Sequence, residues 1–405
     1  MMSAPATTGY QTLTEETVVK IIEPLRFFTG EGELRVKEIG DGNLNLVFHL
    51  TEPASGKSLI VKQALPYAKV VGESWPLSLD RARIESEALK KAAEFVPDLV
   101  PKVLYSNAEL AVTVMEDLSD HTILRKGLIA GNQYPKLAEH VGTFLAQTLF
   151  HTSDFYLHPF AKKALVQSFI NPDLCKITED LVFTDPFFDH ETNDFPDELR
   201  PDAEALWGDQ ELKREVAQLK LAFLTRAEVL VHGDLHSGSI FVTGESTKMI
   251  DPEFAYYGPA GFDHGHFFAN LALSALSHNY HTKEPGARSD YQEWLFSVIR
   301  DTWHHFAEQF SELWKNKGTE TYTKVPGTLN DFLQQTWTDA IGFAGCEIIR
   351  RTIGLAHVAD LDSIEDQGVQ IELKRRALRL GSSLIKRRNQ LPDVESFIAA
   401  LKGGI

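Results

Sequence analysis

Cysteine is scarce in this 405-residue chain, which contains only Cys175 and Cys346. Two cysteines cannot build the disulfide framework of a small secreted domain, so a reducing compartment is expected. Basic charge is also in deficit, because 40 Lys and Arg face 57 Asp and Glu and give a formal net charge of −17. That balance argues against a nucleic acid or an anionic membrane as a general partner, since either would require a basic surface.

Long apolar runs are missing as well. The most apolar stretch, FFANLALSALS, is too short to span a bilayer. The first residues, MMSAPATTGYQTLTEE, lack the basic segment and apolar core that mark a signal peptide. These features predict an acidic, globular, cytoplasmic protein that acts neither on membranes nor on nucleic acids.

The apolar residues change their period along the chain, and this change predicts two lobes. Residues 11–29 have helical spacing, and strand-like segments separated by turn residues then follow at 36–39, 44–50 and 58–62. The segment SLDRARIESEALKKAAEF returns to helical spacing, and one more strand is expected at 110–115. Long amphipathic segments then dominate, around residues 135–152, 211–227, 289–315, 329–358 and 370–388.

This order predicts an α+β protein in which a small antiparallel-sheet lobe with one helix precedes a larger, mainly helical lobe. We expect the first lobe to comprise residues 1–115 and the second residues 119–405. A small-molecule ligand is expected in the crevice between them, because such sites often lie between domains.

The segment VHGDLHSGSIFVTGESTKMIDPEF carries two acidic clusters at the ends of a predicted hairpin, with strands at 240–243 and 248–250. Either cluster alone is compatible with a solvated turn, but the hairpin would bring Asp234, Asp251 and Glu253 together. Clustered carboxylates are unfavourable without a cation, and all-oxygen ligands suit Mg²⁺. Asp234, in a loop, could accept a proton from a hydroxyl, whereas Asp251 and Glu253 could hold the metal.

Two features of the first lobe indicate phosphate binding. GDGNLNLVF is a glycine-rich turn between strands, and the backbone amides at Gly42 and Asn43 could approach a phosphate there. Lys62 ends a strand between apolar neighbours and requires an anion, which could be a phosphate or a carboxylate. Glu85 and Glu87 on the following helix are both close enough in sequence to be its partner.

An arginine pair marks the second lobe. Arg350 and Arg351 lie in the otherwise apolar run GCEIIRRTIGLAHVAD. Because a buried arginine is unfavourable without a partner, at least one should face a cleft, a phosphate or a carboxylate such as Glu347 or Asp360.

The motif HGDLHSGSIFV resembles the catalytic loop of the protein-kinase-like phosphotransferases, which include aminoglycoside and choline kinases. Ser239 occupies the position of that family's Asn, and Pro252-Glu253 replaces the Phe-Gly of its metal motif. These departures, together with GESWPLSLDRARIE and RRTIGLAHVADLDSI, are similar to the methylthioribose kinases. The similarity extends from about residue 38 to about residue 365.

The resemblance implies a bilobal protein-kinase-like fold that uses ATP and Mg²⁺. It favours Glu85 over Glu87 as the partner of Lys62, and it implies that Asn45 contacts ATP. It also implies that Asp263 braces the catalytic loop through the backbone. The remaining residues placed at the nucleotide and its metal are the hinge residues Glu116, Asp117 and Leu118, and the motif residues Asp251, Pro252 and Glu253.

For the reaction, the resemblance implies that Asp234 orients the anomeric hydroxyl of 5-methylthioribose. Arg350 and Arg351 would bind the ribose and stabilise the transferring phosphoryl group, and the product would be 5-methylthioribose 1-phosphate in methionine salvage. A homodimer is also implied. Two alternatives remain open: a kinase of the same fold acting on an aminoglycoside, choline or homoserine, and a catalytically silent nucleotide-binding regulator.

Overall fold

The structure, a computed structural model, describes residues 9–29, 33–39, 44–68 and 72–405. Within these ranges the chain forms two compact units. One contains the described residues up to Asp120 together with Ile250–Phe254, and the other contains His121–Met249 and Ala255–Ile405. The predicted lobe ranges and the hinge function of residues 116–118 stay predictions.

The first unit is built on a five-stranded antiparallel sheet in the order β1-β2-β3-β7-β6. Phe48 and Leu50 alternate with less buried neighbours along β2 and pack into its core. Gly56, at φ +69°, closes the turn between β2 and β3 in a conformation that favours glycine. The strands of this unit, including the separate pair β4–β5, are β1 (Arg35–Ile39), β2 (Asn45–Glu52), β3 (Lys57–Ala64), β4 (Tyr67–Ala68), β5 (Gly72–Pro76), β6 (Val103–Asn107) and β7 (Val112–Glu116).

In the described part of this unit, two α-helices accompany the sheet, α1 (Glu15–Ile22) and α2 (Asp80–Ala93). The predicted helix over residues 11–29 is wrong at both ends, because Thr14 caps α1 and the helix ends at Ile22. A 3₁₀ turn containing Pro24 follows, since proline lacks the N–H needed to continue an α-helix. The helix predicted from SLDRARIESEALKKAAEF is present as α2.

The second unit contains the predicted hairpin. Ile240 pairs with Met249 and Val242 pairs with Thr247 in antiparallel register, which confirms the two strands and their turn. The short strands of this unit are β8 (Thr122–Ile123), β9 (Val229–Val231), β10 (Ile240–Val242), β11 (Thr247–Met249) and β12 (Tyr256–Gly258). They form a three-stranded sheet, β11-β10-β8, and the pair β12–β9.

Helices make up most of the second unit. The central helix α9 is buried from Phe262 to His278 and packs against α10 and α11, while α10 also packs against α4 and α11 against α13. No helix in the described part of the chain is long and apolar enough to cross a membrane. Helices and antiparallel strands together confirm the α+β class. The helices are α3 (Leu124–Ile129), α4 (Leu137–Thr152), α5 (Pro159–Ser168), α6 (Pro172–Leu181), α7 (Arg200–Gly208), α8 (Gln210–Thr225), α9 (Phe262–His281), α10 (Pro285–Lys317), α11 (Thr328–Ile353), α12 (Ala359–Asp362), α13 (Gln367–Arg387) and α14 (Val394–Gly404).

Candidate active site

The loop between β9 and β10 carries Asp234 and is held through its backbone. Asp263, at the start of α9, accepts the N–H of His232 at 2.7 Å and that of Gly233 at 3.0 Å. Gly233 has φ +83°, a left-handed conformation that favours glycine. Because Asp263 is fully buried, this double contact fixes the start of the loop, as the resemblance implied.

Asp234 faces three nitrogen-bearing side chains of the same unit. Its Oδ1 lies 3.4 Å from Arg350 Nη2 and 3.7 Å from Arg351 Nη2, and its Oδ2 lies 3.3 Å from His236 Nε2. Burial alone would raise the pKa of Asp234, but these neighbours outweigh burial and hold the pKa well below its usual value. The carboxylate is therefore ionised at neutral pH.

His236 acts here as a neutral hydrogen-bond donor. Burial lowers the pKa of His236 to about 4 even though Asp234 favours its charged form. Its Nδ1 accepts the N–H of Gly238 at 2.8 Å, so the ring proton resides on Nε2, which faces Asp234. The permanent cations beside Asp234 are consequently the two arginines.

The arginine pair also contacts a buried carboxylate, Glu347, which is one of the two carboxylates considered as partners from the sequence. Arg351 Nε donates to Glu347 Oε1 at 2.8 Å, and Arg350 Nε donates to Glu347 Oε2. Asp360 pairs instead with Arg125, at 3.3 Å between Oδ2 and Nε. Each arginine thus contacts Glu347 with one nitrogen and approaches Asp234 with another.

Arg125 is a contributor that the sequence analysis missed. It lies on α3 and donates to Ser237 Oγ at 3.1 Å and to Asn270 Oδ1 at 2.8 Å, and so links the loop that carries Asp234 to α9. The segment ILRKGLIA gave no signal of this role, because a six-residue helix is too short to show a clear period. The partly buried environment of Arg125 arises only from tertiary packing.

In the first unit, Lys62 lies on the central strand β3, where it is opposite Val47 on β2 and Thr113 on β7. Its Nζ donates to Glu85 Oε1 at 2.9 Å and also contacts Asp251 Oδ1. Glu87 instead pairs with Lys90, so the structure selects Glu85 as the partner.

The charges around Lys62 shift its pKa and that of Glu85. Burial would lower the pKa of Lys62, but Asp251, Glu85 and Glu253 outweigh burial and raise it. Burial, opposed by Lys62, raises the pKa of Glu85 to about 7. Lys62 therefore remains a cation at neutral pH.

The motif DPE is held against α2 in a strained backbone conformation. Asp251 has φ +62°, which is unusual for a residue other than glycine although Asp tolerates it better than most. Glu253 accepts from Asn45 Nδ2 at 3.3 and 3.2 Å, and its Oε2 lies 3.3 Å from Arg81 Nε. Arg81 also donates to Asn45 Oδ1 at 3.3 Å. Asn45, Arg81 and Glu253 thus form one cluster.

Arg81 was not identified from the sequence, although it lies in the helical segment SLDRARIE. Its side chain is buried, and it donates to the carbonyl oxygens of Leu65 at 2.7 Å and Ser78 at 3.2 Å. It also donates to the carbonyl of Leu44, which lies within the glycine-rich segment GDGNLNLVF. From the sequence alone, Arg81 cannot be distinguished from an exposed arginine on the surface of a helix.

The structure describes some of the other residues predicted to contact the nucleotide. Asp117 Oδ2 accepts from Ser58 Oγ at 2.6 Å and lies 2.9 Å from His49 Nε2, while Glu116 ends β7. Leu118 and Pro252 are buried. Gly42 and Asn43 lie outside the described residues. Contact of any of these residues with ATP stays a prediction.

The carboxylates of DPE fit Mg²⁺ in part. The Asp251 side chain is 46% exposed, so a solvent-borne cation can reach it, whereas the Glu253 side chain is 10% exposed and already faces Arg81. Mg²⁺ is commonly held by one or two carboxylates together with phosphate oxygens and water. The donor set suits such a cation, with Glu253 required to share its charge with Arg81.

The profile of the phosphotransferase enzyme family matches residues 35–306. A methylthioribose kinase of Geobacillus kaustophilus is 57% identical over 98% of this chain and 98% of its own length. The chain belongs to the phosphotransferase enzyme family, among the methylthioribose kinases.

Other methylthioribose kinases show similar identity and coverage. A methylthioribose kinase of Geobacillus sp. strain WCH70 is 58% identical over 96% of this chain and 95% of its own. That of Bacillus pumilus is 53% identical over 98% of both chains. Among solved structures, a choline kinase from Cryptosporidium parvum covers 96% of this chain and 98% of its own, at 14% identity and a TM-score of 0.47. The last likeness is too slight to support a functional conclusion.

Proposed function

We propose that this chain transfers the γ-phosphoryl group of ATP to the anomeric hydroxyl of 5-methylthioribose, giving 5-methylthioribose 1-phosphate in methionine salvage. The similarity to methylthioribose kinases over almost the whole chain supports 5-methylthioribose as the acceptor. The observation that supports phosphoryl transfer is the ionised Asp234, which lies beside the arginine pair on a loop braced by Asp263.

Asp234 would accept a hydrogen bond from the acceptor hydroxyl and orient its oxygen for attack. A carboxylate with a depressed pKa is a weak base, so early removal of the proton is not its main contribution. In a loose phosphoryl-transfer transition state the hydroxyl becomes acidic only as its oxygen bonds to phosphorus, and Asp234 would take the proton at that stage.

Arg350 and Arg351 would stabilise the negative charge of the transferring phosphoryl group and bind ribose oxygens. Arginine donates from a planar fork that matches phosphate geometry and keeps its charge when buried. Two cations beside Asp234 also disfavour cationic acceptors such as choline or an aminoglycoside, since these would meet like charge.

The first unit would bind the nucleotide. Lys62, held as a cation by Glu85 and Asp251, would contact phosphate oxygens, and Asn45 and the hinge residues Glu116, Asp117 and Leu118 would contact ATP. Asp251 and Glu253 would hold Mg²⁺, which when bound neutralises phosphate charge. Residues Gly42, Asn43 and Pro252 complete the proposed nucleotide set.

The test is ADP release with MgATP and 5-methylthioribose, with choline and an aminoglycoside run in parallel. Wild-type enzyme should turn over 5-methylthioribose alone, and Asp234→Asn should lower kcat on the order of 10²- to 10⁴-fold. Bound ATP without turnover on any acceptor would favour the silent regulator. Turnover on choline or the aminoglycoside would show that the acceptor is not restricted to 5-methylthioribose and would contradict the proposed acceptor.

Two further properties are part of the proposal and rest on the resemblance. The enzyme would be a cytoplasmic homodimer. Light scattering during size-exclusion chromatography would measure the dimer mass directly, and a monomer at micromolar concentration would contradict it. Fractionation of cells that express the full chain would test the location.

A further inference from the structure

Glu347 contacts both arginines of the pair with one buried carboxylate. It precedes Arg350 by three residues and Arg351 by four on α11, and both spacings place side chains on the same face of a helix. Its Oε1 accepts from Arg351 Nε at 2.8 Å and its Oε2 from Arg350 Nε, while its side chain is 0% exposed. Each carboxylate oxygen is therefore engaged by one arginine.

These contacts determine where the remaining guanidinium donors point. A guanidinium group is planar, so fixing Nε–H on a carboxylate oxygen leaves little freedom for the nitrogens at its far end. Nη2 of Arg350 lies 3.4 Å and Nη2 of Arg351 lies 3.7 Å from the same atom, Asp234 Oδ1. One carboxylate thus directs two cations towards the oxygen that would face the acceptor hydroxyl.

The charge state of Glu347 allows it to do this. Burial would raise the pKa of Glu347, but Arg350 and Arg351 outweigh burial and hold the pKa well below its usual value. His266 lies 3.8 Å away, and burial lowers its pKa to about 4, so it does not compete as a cation at neutral pH. Glu347 and Asp234 together balance the charges of the two arginines.

A neutral contact completes the environment of Glu347. Asn270 Nδ2 donates to Glu347 Oε1 at 3.3 Å, and Asn270 Oδ1 accepts from Arg125 Nη2 at 2.8 Å. Because Arg125 also donates to Ser237, the same chain of contacts reaches the loop that carries Asp234. Glu347 is therefore connected to the reacting carboxylate through the arginines and through α9.

From these contacts we propose that Glu347 is a positioning residue for phosphoryl transfer. It holds Arg350 and Arg351 by their Nε atoms, so that both present a second donor at Asp234 and at the incoming phosphoryl group. This inference rests on the proposed function. Because its side chain is 0% exposed, Glu347 itself would contact neither substrate nor nucleotide, and its effect on the rate would pass through the two guanidinium groups.

The first test is a kinetic double-mutant cycle with Glu347→Gln and Arg350→Ala, assayed with MgATP and 5-methylthioribose. Glutamine keeps the size of Glu347 but offers one acceptor instead of two, so one arginine loses its anchor. We expect kcat to fall about 10²-fold while KM for ATP stays within twofold, since misplacement by about 1 Å has an effect of this size. In the Arg350→Ala background the same substitution should lower kcat far less.

The second test measures stability by urea unfolding and needs no substrate. Glu347→Gln should destabilise the wild-type chain, because the two buried arginines lose one of the two carboxylates that balance their charge. In an Arg350→Met/Arg351→Met background the same substitution should stabilise the chain, because Glu347 would otherwise be a buried charge without a cation. This reversal in the sign of the stability change would measure the coupling between Glu347 and the two arginines, even if the acceptor is not 5-methylthioribose.

Asp339→Asn is the matched control, since Asp339 is a buried carboxylate on the same helix that pairs with Arg226 instead. It should change stability without the selective loss of kcat, and Glu347→Asp should restore part of the rate by restoring the charge. Equal loss of kcat in the control, additive kinetic effects, or destabilisation in both backgrounds would each overturn the proposal. Absence of wild-type turnover on 5-methylthioribose would instead overturn the proposed function.

Discussion

Lys62 and Asp251 form an ion pair although 189 residues separate them in the sequence. The contact joins the central strand of the five-stranded sheet to the segment that follows the hairpin. Asp251 is held there at φ +62°, so its position requires both the ion pair and an unusual backbone conformation. Strain of this kind is typical of residues whose side chain must point in a specified direction.

This relationship predicts different outcomes for two substitutions of Asp251. Asp251→Asn and Asp251→Ala should both lower kcat on the order of 10²- to 10³-fold, because each removes a charge from the proposed metal site. Asn tolerates positive φ and Ala does not, so Ala should lose roughly 1 kcal/mol more stability. Urea unfolding and ADP release measure the two effects separately. Equal stability of the variants would contradict the role of backbone strain.

Glu253 should affect Mg²⁺ dependence more than folding. In Glu253→Gln, the amide still fits beside Asn45 but loses the charge that would bind the cation. We expect the Mg²⁺ concentration for half-maximal rate to rise roughly 10- to 100-fold, the range for a weakened metal site. Glu87→Gln, on the exposed side of α2 where Glu87 pairs with Lys90, is the control. An unchanged Mg²⁺ requirement would show that Glu253 does not bind the metal and that its role is to hold Arg81 and Asn45.

Local sequence patterns were sufficient to predict much of this site. The hairpin, α2, the bracing by Asp263 and the choice of Glu85 all depend on contacts that short motifs or the family resemblance specify. Helix α9 was not predicted, because it is buried on all sides and therefore lacks the apolar–polar period that identifies an amphipathic helix. Strand β6 was also missed.

The contacts that sequence reasoning could not supply join residues far apart in the chain. Arg81 meets Glu253, and Arg125 meets Asn270 and Asp360, only after the units have folded. Composition cannot distinguish such arginines from solvated ones, since Arg81 follows Asp80 and Arg125 precedes Lys126, as in many exposed segments. Glu347 could be predicted in part, because the sequence shows its helical spacing to both arginines but does not show that it is buried.

Arg81 should influence nucleotide binding through Asn45 and Leu44. Arg81→Lys keeps the charge but cannot replace every donor of the guanidinium group, so Asn45 should lose its fixed position. We expect KM for ATP to rise about tenfold, which corresponds to roughly 1.4 kcal/mol, with KM for the acceptor unchanged. Arg83→Lys, two residues further along α2 at an exposed pair with Asp80, is the control. A larger change in acceptor KM than in ATP KM would contradict this role.

The buried His264 should make stability depend on pH. Burial lowers the pKa of His264 to about 4, against an ordinary value of 6.5, and the ring packs against Phe306 at 4.3 Å between centroids. Between these two values the unfolded chain binds a proton that the folded chain does not, so this contribution to stability falls as pH drops from 6.5 towards 4.

Glu85 and Asp339 act in the opposite direction, because burial raises their pKa values to about 7 and about 6. Each takes up a proton in the folded state before the unfolded state does, so each adds stability as pH falls through its folded pKa. The contribution of His264 must therefore be measured as a difference between variants. His264→Phe retains the aromatic ring and removes the proton site, and so isolates that difference.

Urea unfolding of wild-type and His264→Phe protein at pH 7, 6 and 5 would measure it. The stability of the wild type relative to the variant should fall with decreasing pH, approaching ~1.4 kcal/mol per pH unit below pH 6. His158→Gln, at an exposed side chain that caps α5, provides the reference for loss of a histidine outside the core. A constant difference between wild type and His264→Phe across this range would mean that the folded chain protonates His264 as readily as the unfolded chain does.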